Sequence, residues 1–220
     1  MVRSLLTCSA LIAALFPLTA WSSNALLDAA NQRNTAAISA LLKTSKGQKL
    51  LEARDARGRT PLLVSTWLDD QNSAQVLLQA GADVNAKDNQ HDSPYLVAGA
   101  EGRTQLLRWY LEHNAKLEDT NRYGGTAIIP AAEKGHLDNV RVLIDAGLNL
   151  NHVNNLGWTA LMEAIVLSNG GPRHQAIVAA LLEAGADPNI PDHQGITPLA
   201  HAKQRQQTAM VQLLNQAGAK

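Results

Sequence analysis

The side chains of this 220-residue sequence that could do acid–base, metal or nucleophilic chemistry are seven histidines, nineteen carboxylates and one cysteine. His91, His113, His136, His152, His174, His193 and His201 are scattered, and none falls in an H-E-x-x-H arrangement. That spacing would set two imidazoles on one helix face with a general base between them. Cys8 has no second cysteine to pair with, so neither a disulfide nor a Cys/His zinc set can form. The chain has no G-x-S-x-G, no G-x-x-x-x-G-K-S/T and no G-x-G-x-x-G. It therefore lacks the strained turn that exposes a nucleophilic serine and the loops that cradle phosphate. Carboxylates such as Asp83, Asp145 and Asp187 recur at turn positions, so periodicity accounts for them. These residues predict a protein that is not an enzyme and carries no cofactor and no metal.

What positions side chains here is an internal repeat, the feature that decides a fold when it is present. Short turns carrying Thr60, Ser93, Thr126, Thr159 and Thr197 follow one another at spacings of 33, 33, 33 and 38 residues. A second landmark, Leu77 to Asn85, returns as Leu143 to Asn151 and Leu181 to Asn189, with looser copies at Tyr110 to Glu118 and Leu213 to Ala219. Its Gly or Asn at 81, 114, 147, 185 and 218 keeps the spacing 33, 33, 38 and 33, so both landmarks share one insertion.

Each repeated residue has a mechanical duty. Thr60, Ser93, Thr126, Thr159 and Thr197 can cap a helix by accepting a backbone N–H bond. Pro61, Pro94 and Pro198 suit the first helical position, where no N–H is needed. Gly81, Gly147 and Gly185 can end a helix in the left-handed conformation, which Asn114 also tolerates. Asp55, Asp88 and Asp192, with Asn121 and Asn154 as substitutes, serve the preceding turn. On these residues the chain resembles the ankyrin-repeat family over about residues 55–219. The resemblance implies an all-α ankyrin-repeat solenoid of stacked helix-turn-helix units with β-turn fingers. Repeats fall at about 55–87, 88–120, 121–153, 154–191 and 192–220, after a divergent N-terminal helix pair at 24–54, in one domain spanning 23–220.

The ends suit a stack. Two helical stretches, Ala25–Asn31 and Thr35–Leu42, precede a polar Lys43–Lys49 link. In the last repeat Asn215 replaces Leu78, Leu111, Ile144 and Leu182 of its siblings, and Gln204, Arg205, Gln206 and Gln207 add polarity, as a terminal cap requires. The extra five residues fall around Ser168–Pro172, where Gly170, Gly171 and Pro172 form a longer loop; a tolerated surface insertion and a contact loop both fit.

Residues 1–22 read as a signal peptide: Arg3, an apolar stretch from Leu5 to Phe16, then Pro17 and small residues. Cleavage after Ala20 or after Ser22 fits, and twelve apolar-dominated residues are too few to span a bilayer, which needs about 20. Export to the periplasm is the expectation, with no stable membrane insertion after cleavage. Formal charge is zero, without a basic stripe, which excludes nucleic acid as a partner class. Aromatics make up only 4% of the chain, so the core must be built from small aliphatic side chains.

The resemblance implies binding of a protein partner through the fingers and the concave side of the first helices, with the chain as a monomer. The candidate partner-binding residues are Arg57, Arg59, Trp67, Leu68, Arg122, Tyr123, Leu156 and Trp158. Asn89, Gln90, Asp92, Asn155, Val166, Leu167, His193 and Ile196 lie on the same expected face. Tyr, Trp and Arg dominate interface energetics, which singles out Trp67, Tyr123 and Trp158. Similarity to small bacterial periplasmic ankyrin proteins implies support of a catalase against peroxide. The alternatives are an immunity protein neutralising an exported toxin, and a small-ligand or cell-wall binder.

Overall fold

Each turn residue with two acceptor directions organises one finger. In the computed structural model, which describes residues 24–220, Oδ1 of Asp55 accepts from the backbone N–H groups of Arg57 and Arg59. Asp88, Asn121, Asn154 and Asp192 do the same for the residues two and four places on. The segment at residues 1–22, expected to be a signal peptide, lies outside the described residues.

From each finger the chain enters a helix pair. The described helices are α1 (Ala25–Asn31), α2 (Thr35–Leu42), α3 (Ser45–Gln48), α4 (Pro61–Trp67), α5 (Gln71–Gln79), α6 (Pro94–Ala100) and α7 (Thr104–Glu112). They continue as α8 (Ile128–Glu133), α9 (Leu137–Asp145), α10 (Ala160–Val166), α11 (Pro172–Glu183), α12 (Pro198–Gln204) and α13 (Thr208–Gln216). The short α3 falls inside the expected polar link; Thr44 starts it by accepting from the Gly47 N–H.

The side-chain hydroxyls of Thr60, Ser93, Thr159 and Thr197 cap α4, α6, α10 and α12, accepting from the N–H three residues on at 3.2–3.3 Å. Thr126 does not. Its Oγ1 is buried without a hydrogen-bond partner, and α8 begins one residue later. The reason lies four residues on. Pro130 has no N–H to give the Thr126 carbonyl, so that carbonyl takes the Ile129 N–H, the donor the hydroxyl would have used.

First helices α1, α4, α6, α8, α10 and α12 pack in one layer, and second helices α2, α5, α7, α9, α11 and α13 in the other. Packed helices belong to the same or adjacent units, as in a solenoid. The core between the layers is Leu, Ile, Val and Ala, with Tyr95 and Tyr110 as its fully buried rings, each large aliphatic contributing roughly 1.5–3 kcal/mol. Gly99 lets α6 and α8 approach closely: a Cβ there would stand 2.7 Å from that of Ala127.

Polar groups stitch the units. Oδ1 of Asn85, Asn151 and Asn189 accepts from the backbone N–H of Lys116, Asp187 and Lys220 in the next unit, which gives the Asn of the second landmark its purpose. The fully buried Asn139 donates to the carbonyls of Ala98 and Gly99 and accepts from Thr104 Oγ1 at 2.6 Å. Gln207 is buried rather than part of a polar outer face, and its Nε2 donates to the carbonyls of Ile165 and Ser168.

The insertion is divided between two elements. The link from α10 to α11 has five residues where its siblings have three, and α11 has twelve where α5, α7, α9 and α13 have nine. More of the extra chain is helix than loop, because Pro172 occupies the first helical turn.

Candidate functional site

The first helices and fingers of the middle units enclose a concave pocket of about 370 Å³. Trp67, at the end of α4, bounds one end, and Leu156 and Leu167 the other. Leu96 and Val97 of α6 and Ile129 and Pro130 of α8 also line it, with Arg122 and Tyr123 reaching in from a finger. Tyr123, Leu156 and Leu167 are 53%, 52% and 47% exposed.

Four of the candidate residues therefore meet here: Trp67, Arg122, Tyr123 and Leu156. The other four lie outside the pocket. Arg57 is exposed on the first finger. Arg59 is engaged by Asp55, with Nε 2.8 Å and a terminal nitrogen 2.7 Å from Oδ2. Leu68 packs against the core, and Trp158 is half-buried. Val166 is buried, against the expectation that it faces a partner. It stands where α4 carries Trp67, and its shorter side chain does not reach out of the face.

The pocket lining includes four carboxylates and two cations. Arg122 pairs with Asp92 at 3.3 Å and lies 4.7 Å from the centroid of the Tyr123 ring. Lys134 pairs with Glu101 at 2.6 Å. Glu133 and Glu163 have no cation of their own among the described residues. Glu163 is only 5% exposed. Oε1 accepts from Asn154 Nδ2 at 2.7 Å, and Oε2 is not among the buried side-chain oxygens left without a partner. Burial, followed by the nearby charge of Glu133, raises the carboxyl to about 7, while the bond from Asn154 pulls the other way.

Glu133 and Glu163 were missed by reading the sequence for contact positions. The available signal was a break in pattern: Glu163 stands where the sibling helices carry Val64, Val97, Pro130 and His201.

Three of the histidines hold backbone. His174 Nε2 lies 2.9 Å from the Glu133 carbonyl oxygen, His152 Nε2 2.7 Å from that of Gly124, and His113 Nδ1 2.6 Å from that of Trp109. Among the described residues, no three His, Cys, Asp or Glu side chains gather as metal ligands.

Comparison with known proteins follows the same architecture. A family model described as ankyrin repeats (3 copies) matches residues 1–88 and 95–192. A putative ankyrin repeat protein, YahD of Escherichia coli strain K12, is 40% identical over 166 residues, covering 75% of this chain and 83% of its own. The crystal structure of an ankyrin repeat domain from Acinetobacter baumannii AYE is 53% identical with a TM-score of 0.87, covering 90% of this chain and all of the other. The ankyrin repeat domain of Bcl-3, a member of the IkappaB family, is 25% identical with a TM-score of 0.80, covering 89% of this chain and 86% of its own.

Proposed function

Because the chain belongs to the ankyrin-repeat family, whose members are protein–protein interaction scaffolds, we propose that it binds its partner through the concave face of its middle units. The observation that carries this reading is the pocket where Trp67 of α4, Arg122 and Tyr123 of one finger and Leu156 of the next converge. Exposed apolar groups clustered in a concavity, with aromatic and arginine side chains among them, mark contact surfaces. The protein acts as a monomeric, non-enzymatic binder in this reading. No helix of the described residues is long and apolar enough to cross a membrane.

The proposed compartment is the periplasm, reached through the segment at residues 1–22. A mature chain about 2 kDa shorter than the full sequence, beginning after Ala20 or Ser22, supports it; a full-length chain recovered with the membrane overturns it.

Affinity purification from the periplasmic fraction, followed by mass spectrometry, tests the binding face. The unmodified chain retains a protein partner that Trp67→Ala and Tyr123→Ala lose. Equal recovery with both variants removes the concave face from consideration. Recovery of a catalase supports a role in oxidative defence, recovery of an exported toxin an immunity role, and recovery of no protein a small-ligand or cell-wall binder.

A further inference from the structure

Building on the concave-face reading, we propose that the pocket between α6, α8 and α10 receives an arginine side chain of the partner protein, held by Glu133 and Glu163. The pocket's own cations are already committed, Arg122 to Asp92 and Lys134 to Glu101. That leaves two carboxylates facing one concavity with no counter-charge. Glu163 carries the inference furthest. It is more than nine-tenths buried, lines the pocket, and has Oε1 held by Asn154 while Oε2 is not sealed among the buried unpaired oxygens and stays within reach from the pocket. A largely buried carboxylate without a counter-charge is costly, and a cation with N–H groups entering the pocket relieves that cost.

The walls select the shape of the cation. Trp67, Tyr123 and Leu156 offer apolar and aromatic surface, against which an arginine stem packs and a guanidinium plane stacks. Two acceptors on separate helices suit a planar fork with several N–H donors. A lysine ammonium is a compact, strongly hydrated charge and loses more on entering such a site. Arg122 is an intramolecular example of a guanidinium against Tyr123, and its bond to Asp92 keeps it from neutralising Glu133 or Glu163.

The test is a titration of the isotope-labelled chain, followed by amide chemical shifts, with three blocked amino acids: N-acetyl-arginine methylamide and its lysine and citrulline counterparts. Arginine is expected to move the amides of Tyr123, Glu133, Leu156 and Glu163; lysine binds several-fold more weakly, and neutral citrulline not at all. Glu133→Gln and Glu163→Gln each weaken arginine binding by about tenfold, the loss of one charge-assisted contact. Glu133 is half-exposed, so its variant keeps the test decisive even where Glu163→Gln disturbs folding. Citrulline or lysine binding as tightly as arginine, or arginine binding unchanged in Glu133→Gln, overturns the proposal. An arginine probe that moves none of these amides, while Trp67→Ala still abolishes partner capture, removes the arginine site and leaves the concave face standing. Capture unaffected by both Trp67→Ala and Tyr123→Ala removes both.

Discussion

Asn154 donates through Nδ2 to Oε1 of Glu163 at 2.7 Å, and in the next unit the same two places hold Asp192 and His201, whose Nε2 lies 2.7 Å from Oδ2. The finger residue is an amide where its helix partner is an acid, and an acid where its partner is a base. In both units Oδ1 is occupied with backbone N–H groups, so the choice between Asn and Asp is made by the second atom alone.

Asn154→Asp should therefore set two carboxylates against each other. Expected is a loss of about 2–3 kcal/mol at pH 8 in urea unfolding, since a buried bond is replaced by like charge. Adding Glu163→His recreates the pairing of the following unit and should recover most of that loss. A double variant no more stable than Asn154→Asp alone would contradict the matching rule.

Stability should carry the titration of Glu163. Its carboxyl is raised to about 7 in the folded chain, against about 4.3 in an unfolded one. Between those values the folded chain binds more protons, so stability falls as pH rises, and the penalty is complete above 7, on the order of 3 kcal/mol. Glu163→Gln keeps the acceptor for Asn154 and should stabilise the chain at pH 8 while flattening the slope from pH 5 to 7. Asp55 and Asp192 work in the opposite sense. Burial pushes both carboxyls up, but hydrogen bonds, led by the Arg59 N–H at Asp55 and by His201 at Asp192, outweigh it and hold both below the usual range. Their contribution is present above the unfolded value and is lost only as pH falls through the lower folded one. Urea midpoints from about pH 2 to pH 8 check both signs.

Capping should differ between units. Thr60→Val is expected to cost about 1 kcal/mol, since the Leu63 N–H loses its acceptor. Thr126→Val should cost nothing or stabilise slightly, because its hydroxyl is buried unpaired. In a Pro130→Ala background the donor pattern is restored, and Thr126→Val should then cost as much as Thr60→Val. Thermal midpoints of these four variants and the unmodified chain decide this.

Asn139→Leu should be among the most damaging single changes outside the pocket. It strands the Ala98 and Gly99 carbonyls and Thr104 Oγ1 together, with an expected loss of about 2–4 kcal/mol in denaturant unfolding. A loss under about 1 kcal/mol would show that water replaces these bonds.

The stack was legible because repetition isolates backbone duties: a Thr, a Gly or an Asp that returns every 33 residues does so for a local geometric reason that sequence spacing expresses directly. Thr126 escaped that reading because its capping fails through Pro130, a neighbour outside the repeated motif. The link after α2 hid a helix because only Thr44 announces it. Val166 was misplaced because a face is decided by side-chain length as well as by position. Trp67, Tyr123 and Leu156 could be assigned to a face from register, but not to a pocket. Glu163 illustrates the harder limit. Its chemistry comes from the convergence of α8, α10 and a finger, and a reading built on what recurs passes over the residue that differs.

Each unit packs only on its immediate neighbours, and that has a consequence for heredity. A substitution in one unit need satisfy only the seams on either side of it, so a gene of this kind can revise its choice of partner one unit at a time. The carboxylates at Glu133 and Glu163 lie in two consecutive units, so gaining or losing the cation site would take changes in only those two.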